Sequence, residues 1–128
     1  MAPFTILLVE DDVDLREALV ESLREEGYTV ECAGDGAQAM ALLRRGIRPS
    51  LILLDLMMPR MNGSEFRMAQ KVDPALRHLP VVLLSADARM EEKARALEVQ
   101  GAIRKPIDLD ELVAVIERYR PEVNRTSA

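Results

Sequence analysis

The sequence predicts an α/β fold, a doubly wound five-stranded parallel sheet with helices on both faces. Three observations carry this. Short apolar runs alternate with amphipathic stretches along the whole chain. One run, Leu51-Ile52-Leu53-Leu54, is apolar at every position, as in a strand covered on both sides. The connections are short, so each helix must pack back across the sheet that precedes it.

The elements follow in order. Residues 4–9 form the first apolar run. Residues 13–26 carry Leu15, Leu19 and Leu23 at a helical spacing, and Gly27 stops them. Residues 28–32 alternate as a second strand. Residues 36–45 are Ala-rich and helical, ended by Gly46. The third strand covers residues 50–54. Ser64 is read as the cap of a third helix reaching about Val72, which Asp73-Pro74 breaks. Residues 81–85 form a fourth strand and residues 88–98 a charged fourth helix. Residues 102–104 are a short fifth strand, ended by Lys105-Pro106. Residues 109–119 form the last helix, capped by Asp108.

At 128 residues the chain is read as one domain, 1–128, with a core over residues 4–119 and a frayed tail over 120–128. A hydrophobic content of 48% supplies a core. The formal net charge of −5 argues against direct nucleic acid binding and against anionic lipid surfaces. No apolar run approaches transmembrane length, and Met1-Ala2-Pro3-Phe4 lacks the pattern of a signal peptide. The single cysteine, Cys32, fits a reducing cytoplasm and is expected to be a buried, inert thiol.

The chemistry collects at the C-terminal edge of the sheet, where open α/β folds bind ligands. The first strand ends in Glu10-Asp11-Asp12, the third in Asp55, the fourth in Ser85 and the fifth in Lys105. With the strand order 2-1-3-4-5, the first and third strands are neighbours and their carboxylates crowd together. Such a cluster is costly unless a cation neutralises it. All-oxygen ligation with few protein groups suits Mg²⁺. Carboxylates, a divalent metal, an ammonium and a hydroxyl together make a site for a phosphoryl group.

These residues carry a resemblance. Glu10-Asp11, Asp55 in DLMMP with Gly63, Ser85-Ala86 and Lys105-Pro106 occur in the order found in receiver domains of bacterial two-component response regulators. The resemblance spans about residues 4–119. It implies a flavodoxin-like fold and a Mg²⁺-dependent phosphorelay switch. Asp55 matches the phosphoacceptor, which takes its phosphoryl group from a histidine kinase or a histidine phosphotransfer protein. Glu10 and Asp11 match the acidic pair that holds the metal, with Asp55 and the backbone carbonyl of Met57 completing the ligands. Ser85 matches the hydroxyl that bonds the phosphoryl, and Lys105 the lysine that pairs with it. Lys105-Pro106 resembles the family's cis peptide. By the same matching, the kinase-facing surface falls on Asp14, Leu15, Ala18, Pro106 and Ile107. The reading is of a cytoplasmic signalling switch, not a metabolic enzyme. The short tail after Tyr119 is read as that of a stand-alone receiver.

The sequence also departs from that family. The position three before the lysine usually carries a ring, and here it is Ala102. Ile107 stands where Phe is frequent, and the stretch from Ser85 to Lys105 is about two residues short of the usual length. A competing reading is therefore a pseudo-receiver, an interaction module that signals without phosphate. A dehalogenase-like phosphatase would need an acid where Met57 stands. A flavin site would need a Ser-, Thr- and Gly-rich loop where Glu10-Asp11-Asp12 stands.

Other residues have plainer expectations. Asp12 is expected to cap the first helix, His78 to lie in a surface loop, and residues 89–95 to form a solvated face with internal ion pairs. Met57, Met58, Met61 and Met68 are expected to pack in the core and the acceptor loop.

Overall fold

The computed structural model describes residues 4–120. Five parallel strands alternate with five helices. They are β1 (Thr5–Val9), α1 (Val13–Glu25), β2 (Thr29–Ala33), α2 (Gly36–Arg44) and β3 (Leu51–Asp55), then α3 (Gly63–Lys71), β4 (Val81–Ser85), α4 (Met90–Leu97), β5 (Gly101–Arg104) and α5 (Leu109–Glu117). The sheet order is β2-β1-β3-β4-β5, which makes β1 and β3 neighbours as expected.

Side chains along a strand point alternately to opposite faces, and this divides the apolar runs between two cores. Leu7, Val9, Ile52, Leu54, Val81 and Leu83 face one side and pack with Met40, Phe66 and Leu97 of α2, α3 and α4. Ile6, Leu8, Leu51, Leu53, Val82 and Leu84 face the other and pack with Leu19, Leu23, Leu112 and Ile116 of α1 and α5. Each fully buried Leu or Ile contributes about 1.5–3 kcal/mol relative to an exposed one. The central strands β3 and β4 are buried at every residue, which explains their unbroken apolar sequence.

The helix caps named from the sequence match with one exception, while α4 starts at Met90 and not at residue 88, and α5 ends at Glu117 and not at Tyr119. Asp12, Asp35 and Asp108 accept from backbone N–H groups as N-caps of α1, α2 and α5. Gly27 and Gly46 follow α1 and α2 with φ of 95° and 104°, where a side chain would be strained. The exception is α3. Its cap is Asn62, not Ser64: the Asn62 side chain accepts from Glu65 N–H, while the Glu65 carboxylate accepts from Asn62 N–H. This reciprocal pair satisfies two otherwise orphaned donors, and Ser64 has nothing comparable to offer.

Other expectations are corrected. Cys32 is exposed. It lies on the edge strand β2 beside a groove of about 570 Å³ lined by Arg16, Val20 and Arg24 of α1. Met58 is buried and Met61 packs against the first core, but Met57 and Met68 are exposed. Arg120, expected in the frayed tail, stacks over the rings of Phe4 and Tyr28 and pairs with Glu117. Residues 121–128 of that tail lie outside the described residues. His78 is exposed in the loop before β4, as expected. Leu15 is half-buried against the second core, while Asp14, Ala18 and Pro106 are exposed.

Candidate functional site

The loops after β1, β3, β4 and β5 converge on a cavity of about 390 Å³ whose walls include Glu10, Asp11, Asp55, Met57, Ala86 and Lys105. The sheet places these groups. Val9 pairs with Leu54, so the residues that follow, Glu10 and Asp55, emerge side by side.

Glu10 is fully buried and held from every side. Its N–H donates to Ala33 O at 3.0 Å, and its carbonyl oxygen accepts from Arg16 Nη1 at 2.8 Å. One carboxylate oxygen accepts from Asp12 N–H at 3.1 Å and the other from Lys105 Nζ at 2.8 Å. Arg16 is a supporting residue that the sequence reading missed. No local pattern marks it, because its partner is a backbone oxygen across the β1–α1 turn.

Asp55 is also buried, and its Oδ1 lies 3.4 Å from Lys105 Nζ. Burial, then the charge of Glu10, then contact with Asp11 push its pKa up to about 7, against the pull of Lys105 and of Met57 N–H. Burial works against the charge of Lys105, but its bonds to Glu10 and Asp55 prevail and raise its pKa. One ammonium therefore serves two buried carboxylates and does not fully compensate them. Asp11, exposed, brings a third carboxylate. Oxygens from Glu10, Asp11 and Asp55 lie within 4.8 Å of one another. This donor set, hard oxygens with a net excess of negative charge, suits a divalent cation.

Behind the nucleophile candidate the chain is tightly constrained. A Cβ on Gly63 would fall 2.5 Å from Asp55 O and 2.8 Å from Leu56 Cα, so only glycine allows α3 to start this close to β3. Gly63 N–H donates to Leu56 O at 3.0 Å. Gly36 N–H donates to Met61 O at 2.9 Å, and the buried Asp35 carboxylate accepts from Arg60 Nε at 2.7 Å. The loop after Asp55 is thus clasped to the start of α2. The sequence does not mark Asp35 as a partner of Arg60, which lies too far along the chain for spacing to link them.

Ser85 is buried at the end of β4, next to Ala86 and Asp87 of the cavity wall. Its Oγ accepts from Asp87 N–H at 3.0 Å. Lys105 N–H donates to Ser85 O at 2.9 Å, and the Lys105–Pro106 peptide is cis as expected. The charged fourth helix forms one ion pair within itself among the described residues, Arg89 with Glu92; Lys93 and Glu91 reach instead to Asp87 and Arg104.

Residues 6–117 match the response regulator receiver domain. The chain belongs to that family. It is 38% identical over 128 residues to the response regulator MprA of Mycobacterium sp. (strain KMS), covering 98% of this chain and 53% of that protein. It is 41% identical over 123 residues to the DNA-binding response regulator MtrA of Mycolicibacterium paratuberculosis, covering 94% of this chain and 51% of that one. This receiver therefore spans about half the length of these curated relatives. Among solved structures, the chemotaxis protein CheY4 of Vibrio cholerae superposes with a TM-score of 0.84 at 27% identity, covering 93% of this chain and 100% of that one. The flavodoxin-like strand order of the receiver follows from the sheet itself. No helix among the described residues is long and apolar enough to cross a membrane.

Proposed function

We propose that this receiver is the phosphoacceptor of a two-component phosphorelay, and that Asp55 takes a phosphoryl group from a phosphohistidine of a sensor histidine kinase or histidine phosphotransfer protein. The observation that carries this is the placement of Asp55 beside Lys105 Nζ at 3.4 Å and within 4.8 Å of oxygens of Glu10 and Asp11. A carboxylate is a poor nucleophile toward an anionic phosphoryl unless positive charge offsets their repulsion. Lys105 supplies a fixed part of that charge.

The acidic cluster fits Mg²⁺, which Glu10, Asp11, Asp55 and the Met57 backbone carbonyl would hold. When bound, the cation supplies the remaining charge compensation at the phosphoryl oxygens. Asp55 Oδ attacks phosphorus as the P–N bond to the donor imidazole breaks. The electron pair leaves with the imidazole nitrogen, and the product is an acyl phosphate on Asp55. Lys105 then turns from its carboxylates to a phosphoryl oxygen, and the Ser85 hydroxyl donates to another. The product is a mixed anhydride, open to hydrolysis, so the mark is transient and the protein acts as a switch in partner binding, not as a metabolic enzyme. This reading places the receiver in the cytoplasm with its donor. Its net charge of −5 supports a protein partner and no direct contact with nucleic acid or membrane.

Mass spectrometry of the protein incubated with Mg²⁺ and acetyl phosphate tests this. The expected result is a gain of one phosphoryl group, lost in Asp55→Asn and in EDTA. An unchanged mass would leave only an interaction module that works without phosphate.

A further inference from the structure

The hydroxyl of Ser85 is bonded to Asp87, a residue of the cavity wall whose other contacts reach α4 and β5. Its partner, Asp87, uses each of its polar groups. The Asp87 N–H donates to Ser85 Oγ at 3.0 Å. Its carboxylate accepts from Arg89 N–H at 2.7 Å and from Lys93 Nζ of α4. Its carbonyl oxygen accepts from Arg104 Nη1 of β5 at 2.9 Å. Arg104 Nη2 then lies 3.0 Å from both carboxylate oxygens of Glu91 on α4. One loop residue thus joins the site hydroxyl to a helix and to an edge strand.

Ala102, on the same strand as Arg104, offers only a methyl group, packed against the first core. It cannot relay a motion by turning. We propose that Asp87 and Arg104 form the link between the phosphoryl site and the face made by α4 and β5, with Arg104 as the coupling residue. The inference rests on the phosphoacceptor reading of Asp55.

Ser85 is buried and its hydroxyl already accepts from the Asp87 N–H. A shift of that hydroxyl toward a phosphoryl oxygen draws the Asp87 N–H, and with it the Asp87 backbone, after it. The guanidinium of Arg104 is a rigid planar fork. It cannot hold a displaced Asp87 carbonyl and both Glu91 oxygens in their present geometry. The Arg104–Glu91 pair then opens or re-forms, and the first turn of α4 moves against β5. Both side chains are largely exposed, at 44% and 60%, so exchanging this pair for water costs little. That is the property a two-state contact needs. The signal so produced is a rearranged charge pattern on the α4–β5 rim.

Amide NMR of the full chain with Mg²⁺ and beryllofluoride, against Mg²⁺ alone, tests the link. In the unsubstituted protein, shifts are expected at residues 55–60, 85–89, 91–95 and 101–104. In Arg104→Ala, those at 55–60 and 85–87 should remain, those at 91–95 should shrink but persist near Lys93, which still holds Asp87, and those at 101–103 should be lost. Arg104→Lys, which keeps the charge without the fork, should retain only part of the spread. If Arg104→Ala fails to fold, Glu91→Gln on exposed α4 breaks the same pair and should also curtail the spread. A spread unchanged in the foldable variant, or absent from the unsubstituted protein while residues 55–60 respond, would overturn the inference alone. No response at residues 55–60 in the unsubstituted protein would overturn the phosphoacceptor reading and this link with it.

Discussion

The guanidinium of Arg67 in α3 donates to the carbonyl oxygen of Glu98 at 2.7 Å and so closes the C-terminus of a neighbouring helix. It also donates to Leu97 O at 3.0 Å and to Gln70 Oε1 at 2.8 Å. The Gln70 amide in turn reaches Leu76 O and Leu79 O, each at 2.9 Å. Glu98 is left-handed, with φ of 55°, where a glycine would be expected. Arg67 does by hydrogen bonding part of what glycine would do by conformation.

Arg67→Met should therefore cost about 3 kcal/mol, since it leaves buried acceptors unpaired. Glu98→Gly should do the opposite and stabilise by about 1 kcal/mol, because it relieves the left-handed backbone at the expense of an exposed pair with Lys71. Urea denaturation of the two variants checks both. An Arg67→Met protein as stable as the parent would show that water replaces the guanidinium without loss.

The raised pKa of Asp55 has a direct consequence for stability without metal. The unfolded chain releases this proton near 3.8, and the folded protein near 7. Between those values the folded state holds the extra proton, so stability falls as pH rises and the full penalty is present above about 7. The loss attributable to this group is on the order of 2–4 kcal/mol. Asp55→Asn should remove it, so the variant in EDTA should match the parent near pH 4 and exceed it near pH 8. Asp35, Asp87, Glu91 and Glu98, whose pKa values are lowered, act in the opposite sense, giving stability that is lost as pH falls through their folded values. The comparison of parent and variant cancels them. A difference between the two that does not change with pH would refute the penalty at Asp55.

Mg²⁺ should stabilise the parent by offsetting the same charge excess, in proportion to the logarithm of its concentration above Kd. Asp11→Asn removes one of the three clustered oxygens' charges and should weaken that stabilisation. Thermal unfolding over a Mg²⁺ series measures it, with amide shifts at residues 10–12 and 55–57 as the site-specific readout. Equal gains for parent and Asp11→Asn would place the cation elsewhere.

The donor surface can be separated from the chemistry. Ala18 is exposed on α1, and Ile107 is half-buried beyond the Lys105–Pro106 peptide. Ala18→Glu with Ile107→Glu should slow transfer from a cognate kinase and leave phosphorylation by acetyl phosphate unchanged. Equal loss with both donors would indicate damage to the fold.

Most of the sheet was legible because β1, β3 and β4 are covered on both faces and show it as unbroken apolar runs. The site carboxylates were legible for a related reason, since polar residues that end such runs must sit at the sheet edge, whereas Lys105 follows the mixed strand β5 and was legible through Lys105-Pro106. Cys32 was misread because strand alternation does not say whether an edge strand's outer groove is covered. The sequence reading placed the cap at Ser64 although Glu65, three residues after Asn62, marks Asn62 as the start of a capping box. The roles of Arg16, Asp87 and Arg104 were not legible. Each acts on a backbone oxygen or N–H, and the sequence does not specify which backbone atoms a fold brings near.

The clasp after Asp55 and the loop after Ser85 make the two sides of the pocket mechanically unequal. On one side Gly36 and Gly63 hold the chain where a Cβ is not tolerated, with the buried Asp35 pairing to Arg60 beside them. On the other, Asp87 is held by contacts that include exposed, exchangeable side chains. The pocket behaves as a vice with one fixed jaw and one sliding jaw. A phosphoryl group wedged between them can displace only the sliding one. Substitutions in the fixed jaw will then govern how readily the mark is written, and substitutions in the sliding jaw how it is read.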